Sequence, residues 1–286
     1  GGFGDRIRAR PVRRVIRPGF TPSRIPFSPH HGHAAVMFQI GGGDAATAGS
    51  GQMQGFTGDV VDRTSDPHYV MSYNSLNDLP AYSQLAASFK VCDRWFSGLP
   101  GPTFPNRWLT LCGQTPELEN FENDDPRLGY LELPTIFDVL TTHGIDWRYF
   151  ESDLSIMRMF DRYRLDDTRV LGIDDPDVGL ARLLEQPTLP RVVFIEPDFA
   201  DIPPFRRATD DHPPADLRDG QVFIDRICRM LWGSRHWSSA AMVITYDEHG
   251  GFYDHVAPPG TAAGDPAWRG RVPAVHPDGP PCMGVR

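Results

Sequence analysis

Two acids, Asp247 and Glu248, stand side by side, with imidazoles at His249 and His255 one and seven residues further along. Adjacent carboxylates with imidazoles close by suit a hard or borderline divalent cation. Gly250 and Gly251 permit a sharp turn directly behind them. A solvated turn at a strand end would use the same residue types, so this segment alone leaves both readings open. A second stretch, Gly101-Pro-Thr-Phe-Pro-Asn-Arg107, presents one hydroxyl, Thr103, on a backbone stiffened by Gly and Pro. At the start of a helix such a threonine lies beside backbone N–H groups that favour an anion. Threonine is a weak nucleophile until a base or a cation activates it. Paired with Asp247 and Glu248 it fits phosphoryl transfer, with Asn106 and Arg107 as donors to the phosphate oxygens. A turn hydroxyl that only caps a helix is the competing account of Thr103.

For these groups to converge, the chain has to carry them to one edge of a sheet. The apolar run Ala241–Ile244 reads as a buried strand ending at the acid pair, where ligand crevices of open α/β sheets lie. Helix followed by strand recurs three times. Pro134–His143, with Gly144 as C-cap, precedes Ile145–Phe150; Val178–Leu184 precedes Arg191–Glu196; Gln221–Leu231 precedes Ala240–Tyr246. That alternation predicts an α/β fold, a three-layer α/β/α sandwich around a mostly parallel sheet. Asn77-Asp-Leu-Pro80 marks a helix start, with Tyr82, Leu85, Ala86 and Phe89 at helical spacing, then a short strand over Val91–Phe96. A helix follows through Trp108 to Cys112.

Residues 1–58 read as an irregular Arg-, Pro- and Gly-rich segment, broken by an amphipathic piece at Ala34–Ile40. Residues 59–286 read as the α/β core, and the whole as one domain. The arginines at 6, 8, 10, 13, 14 and 17 make the start basic. A solvated covering loop accounts for them better than an anion site. The segment from Asp198 to Asp219, rich in Pro and Asp, is a long loop of the kind that is usually functional or disordered.

Composition narrows the partners. The chain has 286 residues, 40% hydrophobic and 23% charged, enough for a sizeable core. A net charge of −9 argues against a nucleic-acid binder working by phosphate neutralisation, and against general attraction to anionic membranes. No apolar run approaches the roughly 18 residues of a membrane span. The start lacks an initiator Met and the apolar stretch of a signal peptide, so the chain reads as an excerpt of a longer one. Four cysteines without a Cys-x-x-Cys pair argue against a disulfide scaffold or a cysteine zinc site.

Two blocks are more specific than any of this. Cys92-Asp-Arg-Trp-Phe-Ser-Gly-Leu-Pro-Gly-Pro-Thr-Phe-Pro-Asn-Arg107 and Ile244-Thr-Tyr-Asp-Glu-His-Gly-Gly-Phe-Tyr-Asp-His-Val-Ala-Pro-Pro259 closely resemble the signature blocks of the bacterial phosphoesterase family. That family holds phospholipases C and related acid phosphatases on an alkaline-phosphatase-like fold. Weaker matches at His33, Gln54–Phe56, Leu79–Tyr82, Phe194–Pro197 and Asp211–Pro214 extend the resemblance over nearly the whole chain. By resemblance Thr103 is the nucleophile, and Asp247 and Glu248 bind a divalent metal ion together with Thr103. His212, His249 and His255 line the phosphate site, with His212 and His255 as proton donors or phosphate stabilisers. Asn106, Arg107 and Glu196 fall on the substrate side, Glu196 as a rim residue rather than a ligand. The family's usual opening block, Glu-Asn-Arg-Ser-Phe-Asp-His, has no counterpart here, and Met283–Arg286 resembles the lead-in to a further strand. The resemblance therefore implies a domain truncated at both ends. It further implies a phospholipid or small phosphate-ester substrate and an exported protein. An acid phosphatase, or a catalytically dead fragment that binds phosphate or a lipid head group, is the alternative.

Overall fold

The structure, a computed structural model, describes residues 22–260 apart from 123, 124, 129, 154 and 203–205. The basic arginines at 6–17, Cys282 and the Met283–Arg286 segment lie outside the described residues.

The described chain runs through α1 (His33–Gln39), α2 (Phe56–Asp59), α3 (Pro80–Ser88), α4 (Thr103–Cys112) and α5 (Ile136–Thr142). It continues through β1 (Trp147–Glu151), β2 (Val170–Gly172), α6 (Leu180–Glu185), β3 (Val192–Ile195) and α7 (Leu217–Gly233). The three strands are parallel in the order β2-β1-β3, with Tyr149 opposite Val170 and Phe194. No described helix is long and apolar enough to cross a membrane.

Alternation along the strands explains the layering. Trp147 and Tyr149 of β1, Val170 of β2 and Phe194 of β3 point to one face, packing with Trp108 and Leu111 of α4 and Phe137 of α5. Phe150, Leu171, Val193 and Ile195 point to the other, against Leu180 of α6 and Phe223 and Ile227 of α7. Both sheet faces are thus covered by helices, giving the predicted α/β class and its three layers. Trp147, Tyr149 and Phe150 are fully buried, and side chains of this size contribute roughly 1.5–3 kcal/mol each when so covered.

Local chemistry sets the element ends. Thr135 and Asp138 form a reciprocal capping box that starts α5, and Gly144 adopts φ +67° just past its end. Pro80 opens α3, where its missing N–H costs nothing. α4 begins five residues before the expected Trp108, with Pro105 in its first turn. A proline is tolerated there because those N–H groups have no intrahelical acceptor. A separate buried cluster, Val36, Ile40, Met53, Phe56, Val60 and Val70, ties α1 and α2 to the segment after them and runs across residue 58.

Two expected strands are corrected. Residues 91–96 and 241–246 are turn or irregular chain outside any described sheet, and Val91, Trp95, Val243 and Tyr246 are exposed. A strand exists only through its neighbour's N–H and C=O groups. Among the described residues, no backbone hydrogen bond reaches 241–246.

Candidate active site

Thr103 is the first residue of α4, directly after Pro102 at the N-cap. The loop before it is held by Asn106, which is 2% exposed. Its Oδ1 accepts from the Leu99 N–H at 2.8 Å, and its Nδ2 donates to the Gly101 and Pro102 carbonyls at 3.0 and 3.1 Å. Asn106 therefore spends its polar atoms on the backbone that presents Thr103.

Arg107, one turn on from Thr103, is held between two acids. Its Nε donates to Asp247 Oδ2 and its Nη1 to Glu196 Oε1, both at 2.9 Å, while the guanidinium lies 4.8 Å from the Phe199 ring centre. Glu196 is 1% exposed, and its second oxygen accepts from the Ile156 N–H at 3.3 Å. Burial pushes the Glu196 carboxyl up, and Arg107 opposes that shift. Burial weakens the charge on Arg107, but Asp247 and Glu196 outweigh it and raise the guanidinium further.

Asp247 Oδ1 accepts from the Glu248 N–H at 2.9 Å. Glu248 is nearly enclosed, and its Oε2 accepts from the Gly250 N–H at 2.6 Å and meets His249 Nδ1 at 3.4 Å. Burial pushes Glu248 up, but the His249 contact and the nearby His31 hold it below the ordinary carboxylate range. Gly251, at φ +79°, lets this turn press on residues 29–30, since a Cβ there would meet the Pro29 side chain at 2.7 Å.

That contact delivers His31. Its ring lies edge-on to His212, centres 4.8 Å apart, and its Nδ1 faces the Pro29 carbonyl at 2.8 Å. His212 Nε2 is 3.1 Å from Ser28 Oγ, and burial, then His31, hold this imidazole below its ordinary value. One ligand atom each from His31, His212 and Glu248 lies within 4.8 Å of the other two. Two imidazoles and an ionised carboxylate, partly shielded from water, fit a borderline divalent cation.

Thr103, Arg107, His31, His212, Asp247 and Glu248 all line one cavity of about 1260 Å³. His249 also borders it, but its Nε2 is turned to Gln39 Oε1 at 3.0 Å. Asn106, Glu196 and His255 do not line it; Glu196 sits beneath as the partner of Arg107, and the His255 side chain is 79% exposed. Sequence reasoning missed His31. The signal was present as three imidazoles at 30, 31 and 33, hidden in a Pro-rich stretch read as irregular. It also missed Asp210, in the same cavity, which burial pushes up to about 7, with Asp211 and Asp247 adding to the rise. Asp211 faces Tyr82 and Tyr246, whose hydroxyls donate to its Oδ2 at 2.9 and 2.6 Å.

Residues 9–283 match the model of the phosphoesterase family. Non-specific phospholipase C6 of Arabidopsis thaliana is 32% identical over 235 residues, 81% of this chain and 44% of that protein. Non-specific phospholipase C1 of the same plant is 31% identical, covering 82% of this chain and 44% of its own length. Phospholipase C B of Mycobacterium tuberculosis is 27% identical over 72% of this chain and 42% of its own. The chain thus spans less than half the length of these curated relatives.

Proposed function

The chain belongs to the phosphoesterase family, and from that premise we propose that it carries the chemistry of a metal-dependent phosphoric ester hydrolase of the phospholipase C type. One observation carries the reading: Thr103 opens α4 in the same cavity that holds His31, His212 and Glu248. The phospholipase C names of the relatives support a phospholipid diester as substrate.

In this reading Thr103 Oγ attacks phosphorus and loses its proton, a new O–P bond forms, and the bond to the glycerol oxygen breaks. The departing alcohol takes up a proton, so the first half-reaction is balanced. Water then attacks the phosphothreonine, releasing the phosphorylated head group and restoring the hydroxyl. His31, His212 and Glu248 would hold the divalent cation, with Asp247 beside them. Such an ion supplies Lewis-acid stabilisation of phosphate charge and makes a neighbouring hydroxyl more acidic. Arg107 keeps Asp247 aligned with α4, and Asn106 keeps the loop before Thr103 in place.

The test is acid quenching of the full-length protein during turnover of a phosphocholine diester, followed by peptide mass analysis. Phosphate-ester mass on Thr103, and loss of hydrolysis in a folded Thr103→Ala variant, are the expected results. Near-normal hydrolysis by that variant sinks the nucleophile assignment. Faster turnover of a monoester than of the diester would instead make the protein a phosphatase.

A further inference from the structure

Gln39 is fully buried at the end of α1, 210 positions from the residue it touches in the site. Its Nε2 donates to the His30 carbonyl at 2.6 Å and to Asp59 Oδ2 at 2.7 Å. Both amide protons are committed to oxygens, so Oε1 must be the acceptor of the group. The opposite amide rotamer would set a carbonyl oxygen against two other oxygens. His249 Nε2, 3.0 Å from Oε1, therefore carries a proton and donates it. With Nε2 fixed, and with the Phe56 ring edge-on to the imidazole, the remaining nitrogen Nδ1 is the one beside Glu248 Oε2. A continuous line of polar contacts, Asp59–Gln39–His249–Glu248, thus ends on a member of the cation group.

We propose that Gln39 is a positioning residue for the cation centre: by accepting a hydrogen bond from His249 Nε2–H it fixes the plane of the imidazole that walls in Glu248, and so limits where the carboxylate can lie beside His31 and His212. The inference rests on the cation centre assigned above. It also gives His249 an orienting role in place of the substrate contact that its position next to the acids suggested. Partners of this outer kind tune metal affinity by about ten- to hundredfold when removed.

The test compares full-length wild type with Gln39→Met, which keeps volume and removes the acceptor. Mn2+ affinity is measured calorimetrically, and the histidine side-chain nitrogens are observed by ¹H–¹⁵N NMR, with His249 assigned through His249→Phe. The expected wild-type spectrum has a protonated, slowly exchanging His249 Nε2. Gln39→Met should lose that signal and bind Mn2+ about tenfold more weakly. An unprotonated Nε2 in the wild type overturns the inference without any variant, as does unchanged Mn2+ affinity in a folded Gln39→Met. A wild type that takes up no Mn2+ removes the cation centre itself, and this role with it. A wild type that binds Mn2+ as tightly as the variant removes only the role of Gln39.

Discussion

Arg107 Nε meets Asp247 Oδ2 at 2.9 Å across 140 positions of sequence, so the helix that begins with Thr103 is bolted to the acid pair by one guanidinium. The same guanidinium reaches Glu196 at the end of β3, which makes the sheet the anchor for both.

Replacing Arg107 with Met should be among the more damaging single changes. It would strand Glu196 as an unpaired buried acid and leave Asp247 without its counter-charge. Breaking a buried pair from one side costs about 3–5 kcal/mol. Denaturant unfolding is the measurement. The double variant Arg107→Met with Glu196→Gln should recover part of that loss, and failure to recover any would deny that the two are coupled.

Asn106→Ala should cost about 2 kcal/mol or more, because the Leu99 N–H and two carbonyls lose their partner at a buried site. Asn106→Asp retains an acceptor for Leu99 and loses both donors, so it should also destabilise. Both should lower turnover through the loop that presents Thr103. Thermal melts beside initial rates check this, and an inactive Asn106→Ala with an unchanged melt would point to direct contact with substrate.

Asp210 gives a pH signature. Its folded-state value, about 7, lies above the ordinary 3.8, so the folded protein binds more protons than the unfolded chain between those limits. Stability contributed by the protonated group is complete below pH 4 and falls as pH rises toward 7. By pH 8 the accumulated loss is on the order of 4 kcal/mol in cation-free protein. Asp210→Asn removes the ionisation. It should be more stable than wild type at pH 8 and indistinguishable near pH 4, by urea unfolding at both. Equal stability at pH 8 would mean Asp210 titrates like an exposed acid.

Gly220 lies inside α7, where Ala normally stabilises by about 1 kcal/mol. Here the opposite is expected. A Cβ at 220 would overlap Asp211 Oδ1, and Asp211 cannot swing away while both tyrosine hydroxyls hold its other oxygen. Gly220→Ala should lower the melting temperature by several degrees. Adding Asp211→Asn to it leaves the overlap in place, whereas Asp211→Gly should relieve it.

What could be read in advance followed the range of the forces involved. Thr135, Asp138 and Gly144 act over a few residues, and so α5 and its ends were legible. Val192–Ile195 was legible because a continuous apolar run suits a strand covered on both faces. Residues 241–246 have the same look, but a strand also needs a neighbour, and pairing is not written in one segment. Of the residues that line the candidate cavity, Thr103, Asp247 and Glu248 were legible by type. The turning inward of Asn106 and Arg107 did not, because it depends on which backbone groups and acids the fold brings to them. His31 arrives through the close approach that Gly251 allows, a contact between distant segments with no local signature.

The run from Ala241 to Tyr246, whose backbone makes no backbone–backbone hydrogen bond among the described residues, also sets a practical property of the molecule. It contains no proline and no charge, it lies outside any helix or sheet, and Val243 is 78% exposed. Such a stretch is a template on which a second chain can lay down a strand, so the first contacts between crowded molecules should form there. Shelf life and the highest concentration that stays clear will then be governed by these six residues, and a single lysine at 243 should extend both.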